Sequence, residues 1–157
     1  MNNLQRGAEL TGNKFSPQEN LQELLKMDSA VQGIALRVFL VEDSPHVRDL
    51  LLDYLHVPGE VEIVGYADNE DDSVAAMLAD HVDAVIVDLK LREGGGMAVI
   101  ERLRKENLNP RPTIIVFTNH PFPEIKRRAM ALGADFFFDK SADYDSVRAT
   151  LQGLRAK

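Results

Sequence analysis

Short apolar runs recur along the chain, and each ends on a charged or hydroxyl-bearing residue. Residues 83–88 read Asp-Ala-Val-Ile-Val-Asp, four apolar positions closed by Asp88. Such a run is too short for a helix, and its β-branched content predicts a strand buried on both faces, as in a parallel sheet. Val38, Phe39, Leu40 and Val41 run into Glu42 and Asp43. Residues 113–117 end at Thr118, and Phe136, Phe137 and Phe138 lead through Asp139 to Lys140. A weaker strand is predicted around Val61, Ile63 and Val64.

Between these runs the period changes to that of helices. Ser44 and Pro45 supply an N-cap and a first-turn proline. Val47, Leu50, Leu51, Tyr54 and Leu55 then form one apolar face, ended by Pro58 and Gly59. Asn69 or Asp68 caps a second helix whose Val74, Met77 and Leu78 are expected to face inward, with His81 just past its end. A third helix is predicted over about 97–106, a fourth over about 124–132 closed by Gly133, and a fifth over about 144–154. Five strands alternating with five helices predict an α/β fold with a doubly wound, five-stranded parallel sheet between two helical layers.

Residues 1–35 stand apart as an N-terminal extension. Ser16, Pro17 and Glu19 form a capping box, and Leu21, Leu24 and Leu25 follow at helical spacing. Two readings stay open for this stretch: a tail or helix on its own domain, or a contact with a partner or a second copy. Residues 36–157 are expected to form the main domain. The fifth helix is expected to be the last element, with no room for an effector domain after it.

Composition narrows the chemistry. The 157 residues contain no cysteine, which removes thiol catalysis, disulfides and Cys-ligated zinc and fits a cytoplasmic location. No apolar stretch is long enough to span a membrane, and the first residues lack the apolar segment of a secretory signal. A net charge of −7 argues against general nucleic-acid binding. Gly94, Gly95 and Gly96 suggest a mobile loop rather than a phosphate cradle, because a P-loop needs a following Lys and Ser/Thr. His46, His56 and His81 have no metal-ligand spacing and read as surface or structural residues.

The strand ends carry the chemistry. If their strands are neighbours, Glu42, Asp43 and Asp88 meet at the carboxyl edge of the sheet, where open α/β sheets bind ligands. Two carboxylates about 4 Å apart repel by about 4 kcal/mol at an effective dielectric of 20. An all-oxygen cluster of this kind suits Mg²⁺ (or Mn²⁺). Lys140 adds a positive charge and Thr118 a hydroxyl, which together make a clamp for a transferring phosphoryl group with Asp88 as nucleophile.

The sequence resembles the receiver domain of the bacterial two-component response regulator family. Glu42 and Asp43 match the metal-binding pair, Asp88 the phosphoacceptor, Thr118 the switch hydroxyl, Phe137 the switch aromatic and Lys140 the family lysine. Separations of 45, 30 and 22 residues link Asp43, Asp88, Thr118 and Lys140 in turn. Gly96 matches the glycine that opens the third helix.

The resemblance implies a flavodoxin-like strand order 2-1-3-4-5 and phosphoryl transfer from a sensor histidine kinase or histidine phosphotransfer protein. It implies Mg²⁺ on Asp43, Asp88 and the backbone carbonyl of Lys90, with Glu42 acting through water. Thr118 and Phe137 would carry the change to the surface of the fourth helix, fifth strand and fifth helix, where an unidentified protein target reads it. Lys126, Arg127 and Arg128 lie on that surface. Lys90 and His120 occupy positions that tune hydrolysis of the phosphoryl group.

Three residues depart from the family pattern. Ser141 replaces the proline that usually follows the lysine through a cis bond, Arg92 replaces a common proline, and Phe137 lacks the hydroxyl of the frequent tyrosine. Two other functions are therefore weighed: a receiver-like binding module that does not use phosphorylation, and a Mg²⁺-dependent phosphatase. The phosphatase needs a second acid/base beside Asp88, which Leu89 and Lys90 do not supply.

Overall fold

The computed structural model describes residues 33–157. The expected helix near Ser16 lies outside the described residues. The described part forms a five-stranded parallel sheet of order β2-β1-β3-β4-β5. The strands are β1 (Leu36–Val41), β2 (Val61–Ala67), β3 (Ala84–Val87), β4 (Thr113–Thr118) and β5 (Phe136–Asp139). The helices are α1 (Pro45–Leu55), α2 (Glu70–Ala79), α3 (Gly96–Lys105), α4 (Pro123–Leu132) and α5 (Tyr144–Arg155).

Alternation along the strands builds two cores. Val38, Leu40, Ala84, Ile86, Ile115 and Phe117 point to one face, where Leu51 and Leu55 of α1 and Val147 and Leu151 of α5 cover them. Phe39, Val41, Val85, Val87, Ile114 and Val116 point to the other, under α2, α3 and α4. Every residue of β3 is buried, as expected of a central strand between two helical layers. This is the doubly wound α/β/α architecture expected from the sequence.

Local signals account for the helix ends. The Ser44 hydroxyl accepts from Val47 N, and the Asn69 side chain accepts from Asp72 N. Asn69, not Asp68, is thus the cap of α2. Gly133 closes α4 at φ 116°, a left-handed conformation that costs glycine little.

Several details differ from expectation. α1 ends at Leu55, before Pro58 and Gly59. Leu50 is exposed because the buried stripe advances by fours through Val47, Leu51 and Leu55, leaving Leu50 on its flank. Leu78 is exposed in the last turn of α2, where it lines a shallow groove with Pro110 and Pro112. The glycine loop is held rather than loose. Glu93 bridges to Asn69, Glu70 N donates to Glu93 O, and Gly96 N donates to Leu89 O at 3.1 Å.

Candidate functional site

Parallel pairing delivers the chemically active residues to one rim. At the end of β3, Asp88 N donates to Val41 O at 2.9 Å, fixing Asp88 beside the start of the Glu42–Asp43 loop. Glu42 N in turn donates to Ala67 O on β2. At the other side, Lys140 N donates to Thr118 O at 2.9 Å, extending the β4–β5 ladder by one step.

The lysine side chain turns into the rim. Its Nζ donates to Asp88 Oδ2 at 2.9 Å and also to Glu42 Oε2. The three side chains are 5%, 9% and 4% exposed, so this is a buried cation between two buried carboxylates. Burial opposes the Lys140 ammonium, yet the hydrogen bonds to Glu42 and Asp88 outweigh it and raise its pKa above the ordinary lysine value. Burial is also the largest influence on Glu42. Together with the neighbouring charge of Asp88 it raises the carboxyl pKa, although Lys140 and Ser44 N pull the other way.

One oxygen from each of Glu42, Asp43 and Asp88 lies within 4.8 Å of the others. All three donors are carboxylates, and the site carries no imidazole or thiolate ligand in this cluster, so the set fits a small hard divalent cation. Both Glu42 oxygens already have protein donors, Lys140 Nζ on one and Ser44 N at 3.1 Å on the other. Asp88 likewise has Lys140 Nζ on one oxygen and Lys90 N on the other, so Asp43, half-buried, is the freer ligand.

The cluster floors a hollow of about 560 Å³ whose rim includes Lys90, Arg92, Asn119 and His120. Lys90 N donates to Asp88 Oδ1 at 3.3 Å. Thr118 is fully buried, and its Oγ1 accepts from His120 N at 3.2 Å, leaving the hydroxyl proton available for an acceptor. His120 stacks on the exposed Phe122 with ring centroids 6.4 Å apart. Phe137 is half-buried against the core shared by α2, α3 and α4. Lys126, Arg127 and Arg128 are exposed on α4.

Gly96 opens α3 at close quarters. A Cβ there would come within 2.1 Å of Asp88 O and 2.7 Å of Leu89 Cα, so only glycine lets α3 start against the Asp88 turn.

The expected site residues Glu42, Asp43, Asp88, Lys90, His120 and Lys140 all line this hollow. Thr118 lies behind it and Phe137 further along the same strand pair. The Lys140–Ser141 bond is trans, since Asn109–Pro110 is the one cis bond among the described residues. The lysine nevertheless reaches both carboxylates.

Sequence reasoning missed the residues around the lysine. Asp139 Oδ1 accepts from Ser141 N and Ser141 Oγ, both at 2.8 Å, and Asp143 Oδ2 accepts from Asp139 N at 2.9 Å. Arg48 was missed as well: its guanidinium donates to Glu42 O at 2.9 Å while lying over the Tyr66 ring. The available signal was a pair of aspartates four apart bracketing a Ser, a turn-forming combination.

Residues 38–152 match the response regulator receiver domain. The chain belongs to that family. Over 111 residues the receiver is 32% identical to a protein-glutamate methylesterase/protein-glutamine glutaminase of Agrobacterium fabrum, covering 70% of this chain and 31% of that one. A second enzyme of that description, from Syntrophus aciditrophicus, is 31% identical over 120 residues, covering 73% of this chain and 33% of the relative. The chain thus spans about a third of the length of these curated relatives. The signal receiver domain of NarL from Mycobacterium tuberculosis shares the fold, with a TM-score of 0.71 at 23% identity, covering 80% of this chain and all of that one.

Receiver domains of response regulators interact with histidine kinases and generally bind Mg²⁺ at an acidic pocket. No helix among the described residues is long and apolar enough to cross a membrane.

Proposed function

We propose that this receiver accepts a phosphoryl group on Asp88 from a phosphohistidine, on a sensor histidine kinase or a histidine phosphotransfer protein, in a two-component phosphorelay. The observation that carries the reading is the buried ammonium of Lys140 bound to Asp88, beside three carboxylates that converge under an open hollow. Residues 36–157 form the receiver in this reading, and 1–35 its N-terminal extension. The chemistry is confined to the chain's own aspartate, with no turnover of a separate substrate. A downstream protein reads the result, and the exchange belongs in the cytoplasm.

In the transfer, a carboxylate oxygen of Asp88 attacks phosphorus as the P–N bond of the phosphohistidine breaks. The imidazole leaves with the electron pair and recovers a proton. Lys140 stays charged throughout, as its raised pKa favours, and moves from the Asp88 carboxylate to an oxygen of the new phosphoryl group. Asp43, Asp88 and the backbone carbonyl of Lys90 would hold a Mg²⁺ (or Mn²⁺) ion, with Glu42 acting through water. That ion, when bound, supplies positive charge against the acidic cluster and a contact for a phosphoryl oxygen.

The product carries more negative charge and new acceptor oxygens. Thr118, whose hydroxyl proton is uncommitted, turns to donate to them. Its movement leaves space between β4 and α4 for Phe137, whose role is one of packing alone. The α4–β5–α5 surface changes in consequence, including the basic residues Lys126, Arg127 and Arg128. A full population switch from 1:99 to 99:1 requires about 5.5 kcal/mol of differential stabilisation, within reach of several charge-assisted hydrogen bonds. Lys90 and His120, both lining the hollow, govern access of the water that later hydrolyses the acyl phosphate.

The test is uptake from a small phosphodonor. With acetyl phosphate and Mg²⁺, the intact mass of the protein should rise by one phosphoryl group, and Asp88→Asn should remain unchanged. A wild-type protein that takes up nothing would contradict the reading.

A further inference from the structure

The family lysine must be aimed as well as present. Its side chain has four rotatable bonds, so where the ammonium arrives depends on the direction in which the backbone launches it. On the amino side the ladder bond from Lys140 N to Thr118 O fixes that direction. On the carboxyl side the strand has ended, and Ser141 has no ring to restrict its φ.

Side chains occupy that gap. Asp139 Oδ1 holds both Ser141 N and Ser141 Oγ at 2.8 Å, closing a loop of hydrogen bonds around Lys140. Asp143 N donates to Asp139 O at 2.8 Å, and Asp143 Oδ2 accepts from Asp139 N at 2.9 Å. Asp143 is the N-cap residue of α5, yet its carboxylate makes no cap hydrogen bond to that helix and faces back to the lysine turn instead. Both carboxylates thus bind backbone on either side of Lys140 while Lys140 itself faces Glu42 and Asp88.

We propose that Asp139 and Asp143 are positioning residues for the phosphoryl-transfer chemistry, acting through Lys140 by clasping the backbone before and after it in the conformation that delivers the ammonium to Asp88. The clasp performs with side-chain hydrogen bonds what a ring constraint after the lysine would otherwise do. Because the turn is trans and the bonds are local, removing one leaves the fold and the acidic cluster in place and loosens only the lysine. The inference rests on the reading of Asp88 as phosphoacceptor.

A double-mutant cycle on the full chain tests it, with the initial rate of phosphoryl uptake from acetyl phosphate and Mg²⁺ followed by intact mass. Asp139→Ala should slow uptake by roughly tenfold or more, the scale expected when a reacting-site group is misplaced by a fraction of its length. Asp139→Asn, which keeps an acceptor oxygen, should recover most of that loss. In a Lys140→Ala background Asp139→Ala should have no further effect, since the group it positions is gone. Wild-type rates in Asp139→Ala, or an equal slowing with and without Lys140, would overturn the inference while leaving the Asp88 reading intact. A wild-type chain that takes up no phosphoryl group would overturn that reading, and this inference with it.

Discussion

The ammonium of Lys140 donates to Glu42 Oε2, across 98 residues of sequence, as well as to Asp88. The first carboxylate of the acidic pair is therefore committed to a protein cation, and its second oxygen to Ser44 N. Asp88 is engaged in the same way by Lys140 Nζ and Lys90 N, which leaves Asp43 as the carboxylate of the cluster with the fewest competing donors among the described residues and makes Lys140 a structural as well as a chemical element.

Removing this cation should cost stability, because Glu42 and Asp88 would stay buried without a partner. Lys140→Ala is expected to destabilise the metal-free protein by about 3 kcal/mol, the scale for breaking a buried ion pair. Glu42→Gln in the same chain should recover much of the loss by removing one of the two stranded charges. Urea unfolding of the single and double variants, in chelator, checks both statements. Equal stability of wild type and Lys140→Ala would mean that the pair does not hold the rim together.

Gly96 has no alternative. An added Cβ would meet Asp88 O and Leu89 Cα, backbone atoms that cannot swing aside. Gly96→Ala should lose at least about 2 kcal/mol, the order of overpacking in a filled core, and should slow phosphoryl uptake because Asp88 sits in the displaced turn. Thermal unfolding and the uptake rate together would detect both effects.

Acid stability offers a separate check on the lysine turn. The bonds from Ser141 N and Ser141 Oγ hold the Asp139 carboxyl below its ordinary value of 3.8. A depressed carboxyl contributes stability that is present above the unfolded value and lost as pH falls through the folded one. Ser141→Ala removes one of the two bonds, so its urea midpoint should lie below that of wild type above pH 3.8. The difference should close as the pH is lowered beneath that value. A difference that does not change with pH would contradict the assignment.

Much of this was legible in the order of residues. The β-branched run ending at Asp88 announces a central strand because both its faces are buried, and matching runs ending at Asp43, Thr118 and Lys140 announce a common rim. Ser44 with Pro45, and Asn69, mark helix starts through local hydrogen bonds that depend on nearby residues alone. What escaped depends on distant geometry. Leu50 and Leu78 look inward by period, but how wide a stripe the sheet covers is set by neighbouring elements. Three glycines suggest mobility until α2 supplies Asn69 as a partner for Glu93. Arg104 looks like an ordinary charge on α3, yet its guanidinium binds Pro112 O, Gly133 O and the Asp135 carboxylate, joining two loops at the far end of the sheet. The clasp around Lys140 was hidden because Asp139 reads as the end of a strand and Asp143 as a helix cap.

The most direct measurement locates the phosphoryl group itself. After incubation with acetyl phosphate and Mg²⁺, borohydride reduces an aspartyl phosphate to homoserine, which peptide mass spectrometry can assign to one position. The account predicts homoserine at position 88 and nowhere else. Reduction at Asp43, or a stable phosphoryl group on His120 with Asp88 untouched, would contradict it.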